Sequence, residues 1–316
     1  MMQIVYAFRR AAFYPFTDAN GPGNELPPLT VRPAYLAAVR AAGFEGIEVG
    51  VRSAGDDEAA VRALGGELTA AGVPCAVIRG GGGFTHPRTA AQSHNRMAEA
   101  IRKAAWIGAN RVNMTVGTPA TAPDAPGAVG VGEQISQGGS RTASEADFAV
   151  TAQHLREGAA LAAELGVEIA IEMHQHSIAD NTWSCLHLLE RIDHPNIGIN
   201  PDLGNLYWTY AEPEGSIEEC IVALAPHAKY WHCKQLQRLY LPELNRAYFH
   251  KVSLPDGEID YRFAIAAMMA AGYTGPLAIE GVREGDQLTR DAQGVEYVQG
   301  ILQALAVSPV QGHSLG

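Results

Sequence analysis

A chain of 316 residues with 47% hydrophobic and 18% charged residues can bury a substantial core, which excludes a disordered or fibrous protein. Its 23 Lys and Arg stand against 34 Asp and Glu, and the net charge of -11 gives a surface that repels polyanions, so no nucleic-acid partner is expected. No stretch approaches the ~18 uninterrupted apolar residues of a membrane span, and the first residues lack a charged segment ahead of an apolar run, so a cytoplasmic protein without a membrane partner is expected.

Short β-type runs alternate with longer Ala- and Leu-rich segments of helical period, the pattern of βα units feeding a parallel sheet. The predicted strands are 4–8, 46–50, 74–79, 111–116, 167–174, 196–201, 228–233 and 276–279. Between them lie helical stretches such as PAYLAAVRAAG, SHNRMAEAIRKAAWIGA, SEADFAVTAQHLREGAALAAELG and YRFAIAAMMAAG, several of which run into the glycine expected after a helix C-terminus. Eight even strand–helix pairs predict a closed (β/α)8 TIM barrel occupying 1–316 as a single domain. An open doubly wound sheet would carry a Gly-rich phosphate fingerprint after its first strand, and none is present. The GGGG at 80–83 lacks the Lys-Ser/Thr ending of a phosphate loop and is read as a flexible βα loop. The four cysteines are scattered without a C-x-x-C spacing, as expected of reduced thiols.

Two loops are long, 118–141 after the fourth strand and about 235–258 after the seventh. Both leave strand C-termini, the catalytic face of such barrels. The first is expected to cover the site or to meet a partner chain, within a homo-oligomer or a complex with a partner subunit. Asp260 is expected to cap the helix that follows the second.

The chemistry concentrates in the second half. Glu172 in IAIEMH, Asp202 in INPDLG, His232 in YWHCK and Glu280 in PLAIEG each stand near the C-terminal end of one of the last four strands. A carboxylate inside an apolar strand is costly unless it is paired or metal-bound. Each residue alone could be a structural partner of an arginine or a satisfied core group, but four in consecutive strands predict a shared metal site. Three carboxylates and one imidazole form a hard, oxygen-rich donor set that suits Mn²⁺ first, with Mg²⁺, Co²⁺ or Zn²⁺ as alternatives.

These four residues, together with LPDGEIDYRFAIAAMMAAGYTGPLAIE, make the chain resemble the sugar phosphate isomerase/epimerase family of xylose isomerase-like TIM barrels, whose relatives include ketose 3-epimerases and inosose dehydratases. The resemblance implies that Glu172, Asp202, His232 and Glu280 bind one divalent metal and that Glu172 and Glu280 act as acid and base on a sugar-like substrate. It also implies that Arg238, six residues after the histidine, binds substrate. Asn205 stands where the family usually has a histidine. It can hydrogen-bond a hydroxyl but cannot shuttle a proton.

Glu48 at the second strand's end is read as orienting a sugar hydroxyl, the alternative being a structural salt bridge. His174 lies two residues beyond Glu172, and strand alternation predicts that both face the barrel axis. There it is read as an added acid or base, the alternative being a simple hydrogen-bonding role. Phe8, Phe13, Tyr14, Trp183 and Trp208 are candidate pocket-mouth aromatics, with plain packing as the alternative. The predicted activity is isomerisation or epimerisation of a keto-sugar by enediolate proton transfer. A lyase that expels a β-substituent, such as a dehydratase or a 3-keto-glycoside deglycosidase, is the alternative. A non-catalytic binding barrel would require vestigial metal ligands.

Overall fold

The computed structural model describes residues 2–7, 26–85, 87–119, 137–175, 177–207, 215–282 and 286–307. Strand β1 (Ile4–Tyr6) leads to helix α1 (Arg32–Ala41), β2 (Gly46–Gly50), α2 (Glu58–Ala70), β3 (Cys75–Gly83), α3 (Pro87–Ile107) and β4 (Arg111–Pro119). The short β5 (Gln137–Gly138) precedes α4 (Glu145–Glu164), β6 (Glu168–Glu172), α5 (Thr182–Ile192), β7 (Ile197–Asn200), α6 (Leu203–Tyr207) and α7 (Ile217–Leu224). Then come β8 (Trp231–Cys233), β9 (Gln235–Leu241), β10 (Arg246–Val252), α8 (Tyr261–Ala270), β11 (Leu277–Ile279) and α9 (Gln287–Val307).

Eight strands pair in parallel in the order β7-β6-β4-β3-β2-β1-β11-β8. The ring is drawn together between β7 and β8 by a parallel bridge from Ile199 to Ala228, where the Lys229 N–H donates to the Ile199 carbonyl at 2.9 Å. This is the predicted TIM barrel, and every predicted strand is present. Side chains on the outer faces of the strands meet the apolar stripes of the helices in one large cluster, which includes Tyr6, Phe44, Ile78, Leu155, Ile199 and Val298. A smaller inner cluster of Val5, Ala7, Ala76, Val77, Ala170, Tyr230 and Ala278 fills the barrel axis. Four of those seven are alanines, so the axis has room for polar side chains higher up.

Helix ends obey local chemistry. Ser144 caps α4 and Asn181 caps α5 in reciprocal capping boxes, and Asp260 accepts the Phe263 N–H at 3.0 Å at the start of α8, as predicted. Gly108 and Gly166 follow α3 and α4 with φ of 88° and 68°, a conformation that costs other residues strain. All four cysteines are free and buried. No helix among the described residues is long and apolar enough to cross a membrane.

Three loop expectations need correction or lie out of reach. The glycines at 80–83 are not a flexible loop, because β3 continues through them and Gly80 to Gly83 register against Met114 to Gly117 of β4. Their lack of side chains permits close packing: a Cβ on Gly82 would stand 2.7 Å from the Cβ of Ser93 on α3. The 235–258 segment is also structured. Strands β9 and β10 form an antiparallel hairpin that pairs Gln235 with Val252 and Leu241 with Arg246. In the 118–141 segment, Thr118 and Pro119 pair antiparallel with Gly138 and Gln137, while 120–136 lie outside the described residues.

Adjacent glycines in α2 give a paired test of packing. A Cβ on Gly65 would sit 2.5 Å from the carbonyl oxygen of Ile107, whereas one on Gly66 would meet nothing within 4 Å. Gly66→Ala should raise stability by roughly 0.5–1 kcal/mol through helix propensity. Gly65→Ala should lower it by about 1–3 kcal/mol, because the backbone of α3 must shift. Urea-unfolding midpoints of the two variants would show the opposite signs.

Candidate metal centre and active site

The C-terminal mouth of the barrel gathers the four predicted ligands. Glu172 ends β6, Asp202 follows β7 by two residues, His232 is the middle residue of β8, and Glu280 directly follows β11. All four are buried, and one donor atom from each lies within 4.8 Å of every other. His232 Nδ1 stands 3.5 Å from Glu172 Oε1, 3.9 Å from Asp202 Oδ2 and 3.9 Å from Glu280 Oε2. Donors bonded to one ion at ~2.0–2.2 Å are spaced by comparable distances, so this set could hold a divalent metal.

Glu48 on β2 reaches the same histidine across the barrel. Its Oε2 lies 2.7 Å from His232 Nε2 and accepts the Tyr230 hydroxyl at 3.0 Å, while Arg79 Nε approaches Oε1 at 3.2 Å. A carboxylate on Nε2 favours the tautomer with its proton there and turns the Nδ1 lone pair toward the other three ligands. The sequence offered a sugar hydroxyl or a salt bridge for Glu48. Its contacts are the salt bridge and, in addition, the metal-site imidazole.

A chain of amides links the His232 backbone to Glu172. The His232 N–H donates to Asn200 Oδ1 at 2.7 Å, Asn200 Nδ2 donates to Asn113 Oδ1 at 3.1 Å, and Asn113 Nδ2 donates to Glu172 Oε2 at 2.8 Å. Asn205 Nδ2 lies 2.8 Å from Asp202 Oδ2, 3.0 Å from the Met173 carbonyl and 3.2 Å from Glu172 Oε1. Asn205 therefore positions the carboxylates of Asp202 and Glu172.

Lys234 is the main residue that sequence reasoning missed. Its buried ammonium lies 3.0 Å from Asp202 Oδ2 and 3.2 Å from Glu280 Oε2, and donates to Asn205 Oδ1 at 2.7 Å. The signal was available, since Lys234 follows His232 by two and alternation places both on one side. Lys251 was also missed. It comes from β10 of the hairpin and bonds Glu280 Oε1 at 2.7 Å, a contact no local pattern announces.

These charges set the titration of the site. Burial alone would lower the His232 pKa, but the charges of Glu48 and Glu172 and their hydrogen bonds outweigh it and hold the imidazole at about 9. Burial raises the Asp202 pKa, and the Lys234 charge partly offsets this. For Lys234, burial pulls downward, while Asp202, Glu280 and Glu172 prevail and raise it.

Other predicted residues make contacts of their own. Strand β6 ends at Glu172, so the alternation that would turn His174 to the axis is not continued. His174 is part-buried with Nδ1 2.8 Å from the Gln175 carbonyl oxygen, a local contact. Arg238 is exposed on β9, its N–H donating to Glu258 at 2.7 Å on the hairpin beyond the mouth. Trp183 belongs to the helical layer, stacked on His187 at 5.3 Å and edge-on to Phe148 at 5.8 Å. Phe8, Phe13, Tyr14 and Trp208 lie outside the described residues.

A family model described as a xylose isomerase-like TIM barrel matches residues 36–301. A solved xylose isomerase-like TIM barrel protein from Mycobacterium smegmatis, in complex with magnesium, aligns with a TM-score of 0.72 over 96% of each chain at 22% identity. A structure of L-ribulose 3-epimerase aligns with a TM-score of 0.69 over 99% of this chain and 100% of that one at 16% identity. At such identities these structures establish the fold alone. The 3-dehydroshikimate dehydratase of Bacillus anthracis is 30% identical over 91 residues, 28% of this chain. The match spans 31% of that relative's length.

The raised His232 pKa generates a prediction about metal uptake. Near neutral pH Nδ1 must lose its proton to become a ligand, so metal affinity should rise with pH up to about 9, and calorimetry in buffers of different ionisation enthalpy should detect proton release. Glu48→Ala should remove both the tautomer control and the charge that holds the proton. Affinity should then fall roughly 10–100-fold and proton release at pH 7 should shrink. Unchanged affinity and proton release in Glu48→Ala would contradict this role.

Proposed function

The chain belongs to the xylose isomerase-like TIM barrel family, and from that membership we propose that it is a divalent-metal-dependent isomerase or epimerase acting on a keto-sugar or sugar-like polyol. The observation that carries this reading is the pair Glu172 and Glu280. They stand at the mouth on β6 and β11, which are not neighbours in the sheet, yet donor atoms of both lie in one buried cluster. On this reading the two carboxylates act on the substrate carbon from different strands of the barrel.

A divalent ion held by Glu172, Asp202, His232 and Glu280, Mn²⁺ being the best match to the donors, would supply Lewis-acid polarisation of a substrate carbonyl oxygen. The chain's own residues do the rest. One glutamate takes the proton from the carbon beside the carbonyl and the other returns one on the opposite face, or the same proton is delivered to the adjacent carbon. Asn113 keeps Glu172 Oε2 directed, and Lys234 and Lys251 do the same for the two oxygens of Glu280. Arg238 on the hairpin rim is the residue assigned to substrate oxygens.

A lyase is the second reading, and Lys234 is what favours it. An ammonium donor between Asp202 and Glu280 is surplus to a transfer that two carboxylates can perform, but it could protonate a departing oxygen. The similarity to a dehydratase over 91 residues supports the same reading. There His174 would serve as a further acid or base.

Incubation of the metal-loaded protein with ketoses in deuterium oxide separates these readings. Deuterium should enter the carbon beside the carbonyl without loss of a substituent. Deuterium entry coupled to loss of water or an alcohol would transfer the assignment to the lyase. Exchange that persists undiminished in both Glu172→Gln and Glu280→Gln would remove the two glutamates from their roles. Arg238→Ala should spare metal content and raise KM. His174→Asn should also spare the metal, with kcat reduced by roughly 10²-fold for a lyase and unchanged for an epimerase.

A further inference from the structure

A second group of ligand-type side chains lies away from the mouth, on the outer helical layer. His94 on α3 and His154 and Glu157 on α4 bring three donor atoms within 4.8 Å of one another. His94 Nδ1 and His154 Nδ1 face each other at 3.3 Å, and Glu157 Oε2 stands 3.8 Å from the first and 3.9 Å from the second. Two imidazole nitrogens on one tetrahedral ion at ~2.0–2.1 Å are separated by roughly 3.3–3.4 Å, so the histidines already stand at the required spacing. The carboxylate oxygen is about half an ångström farther out than such an ion needs, and a small rotation of the half-exposed Glu157 closes that distance.

The surroundings hold the donors in place. The His154 ring stacks on the buried Phe84, centroids 5.1 Å apart. Gln153 Nε2 donates to Glu157 Oε1 at 3.2 Å, which leaves Oε2 as the oxygen directed at both imidazoles. Without an ion the two Nδ1 atoms share one hydrogen bond, one ring donating and the other accepting.

We propose that His94, His154 and Glu157 form a second metal site that binds a nitrogen-preferring divalent ion of the Zn²⁺ class and ties α3 to α4, with water as the remaining ligand. The two sites then differ in chemistry. Three carboxylates and one imidazole at the mouth suit a hard ion, whereas two imidazoles and one carboxylate on the helices suit a borderline one. An ion held jointly by two helices binds only the folded chain and raises its stability.

The test loads the protein with Mn²⁺, adds Zn²⁺, and counts both metals per chain by mass spectrometry after desalting, with a thermal melt alongside. One Zn²⁺ should bind with Mn²⁺ retained, and the melting temperature should rise. His94→Ala and His154→Ala, both of partly buried residues, should lose this zinc and the rise in melting temperature while keeping Mn²⁺. Glu157→Gln should weaken zinc binding. Zinc that only replaces manganese, or equal zinc uptake by wild type and a His94→Ala/His154→Ala double variant, would overturn the proposal.

Discussion

The barrel mouth is governed by the cost of burying charge. Glu172, Asp202 and Glu280 lie within a few ångströms of one another out of contact with bulk water, an arrangement that desolvation and mutual repulsion oppose unless each oxygen is compensated. Most of the surrounding polar structure answers that demand. Asn113, Asn200 and Asn205 supply amide donors, Lys234 and Lys251 supply positive charge, and His232 is held between these carboxylates and Glu48. The alanine-rich inner cluster includes Tyr230, whose hydroxyl joins His232 on Glu48.

This demand explains which elements depart from a plain strand–helix repeat. The hairpin of β9 and β10 is rooted beside the site through Gln235, whose Nε2 donates to the carbonyls of Leu254 and Ile259 while its Oε1 accepts the Ile259 N–H. That anchor keeps Lys251 on Glu280 although Lys251 is far along the chain from the strand carrying the other groups. Gly204 has a similar purpose: a Cβ there would stand 2.2 Å from Lys234 Cγ, so only glycine leaves room for the lysine to enter the cluster.

The barrel was legible because its signal is periodic and local. Alternating strands and amphipathic helices recur eight times, and their charged strand ends stand out against apolar neighbours. The clustering of Glu172, Asp202, His232 and Glu280 was legible for the same reason. Long-range features were not: Lys251 reaches Glu280 only through a hairpin whose pairing, Gln235 with Val252 onward, depends on tertiary placement. Gly80 to Gly83 misled because glycine usually signals a turn, whereas here the tight approach of α3 and the edge of β4 to β3 selects it. His174 lies past the end of β6, where the chain turns so that the His174 N–H bonds the Ala179 carbonyl and strand alternation no longer specifies its direction.

Charge balance connects the buried cluster to the proposed chemistry. Glu48 and Arg79 form one neutral pair, and the three ligand carboxylates are matched by Lys234, Lys251 and an imidazole whose pKa of about 9 keeps it protonated at neutral pH. Counted with every carboxylate ionised, the cluster carries no net charge, a balance that lets so many ionisable groups share one buried place. On the proposed reading, Glu172, Asp202, His232 and Glu280 would hold a divalent ion in place of the one proton on His232, and the mouth would then carry an excess of one positive charge. Such an excess would favour an oxygen that becomes negative as a proton leaves the neighbouring carbon. It stabilises the transition state more than the neutral substrate. The residues that make this cluster of carboxylates foldable are thus the ones that would suit it to enediolate chemistry on the proposed reading.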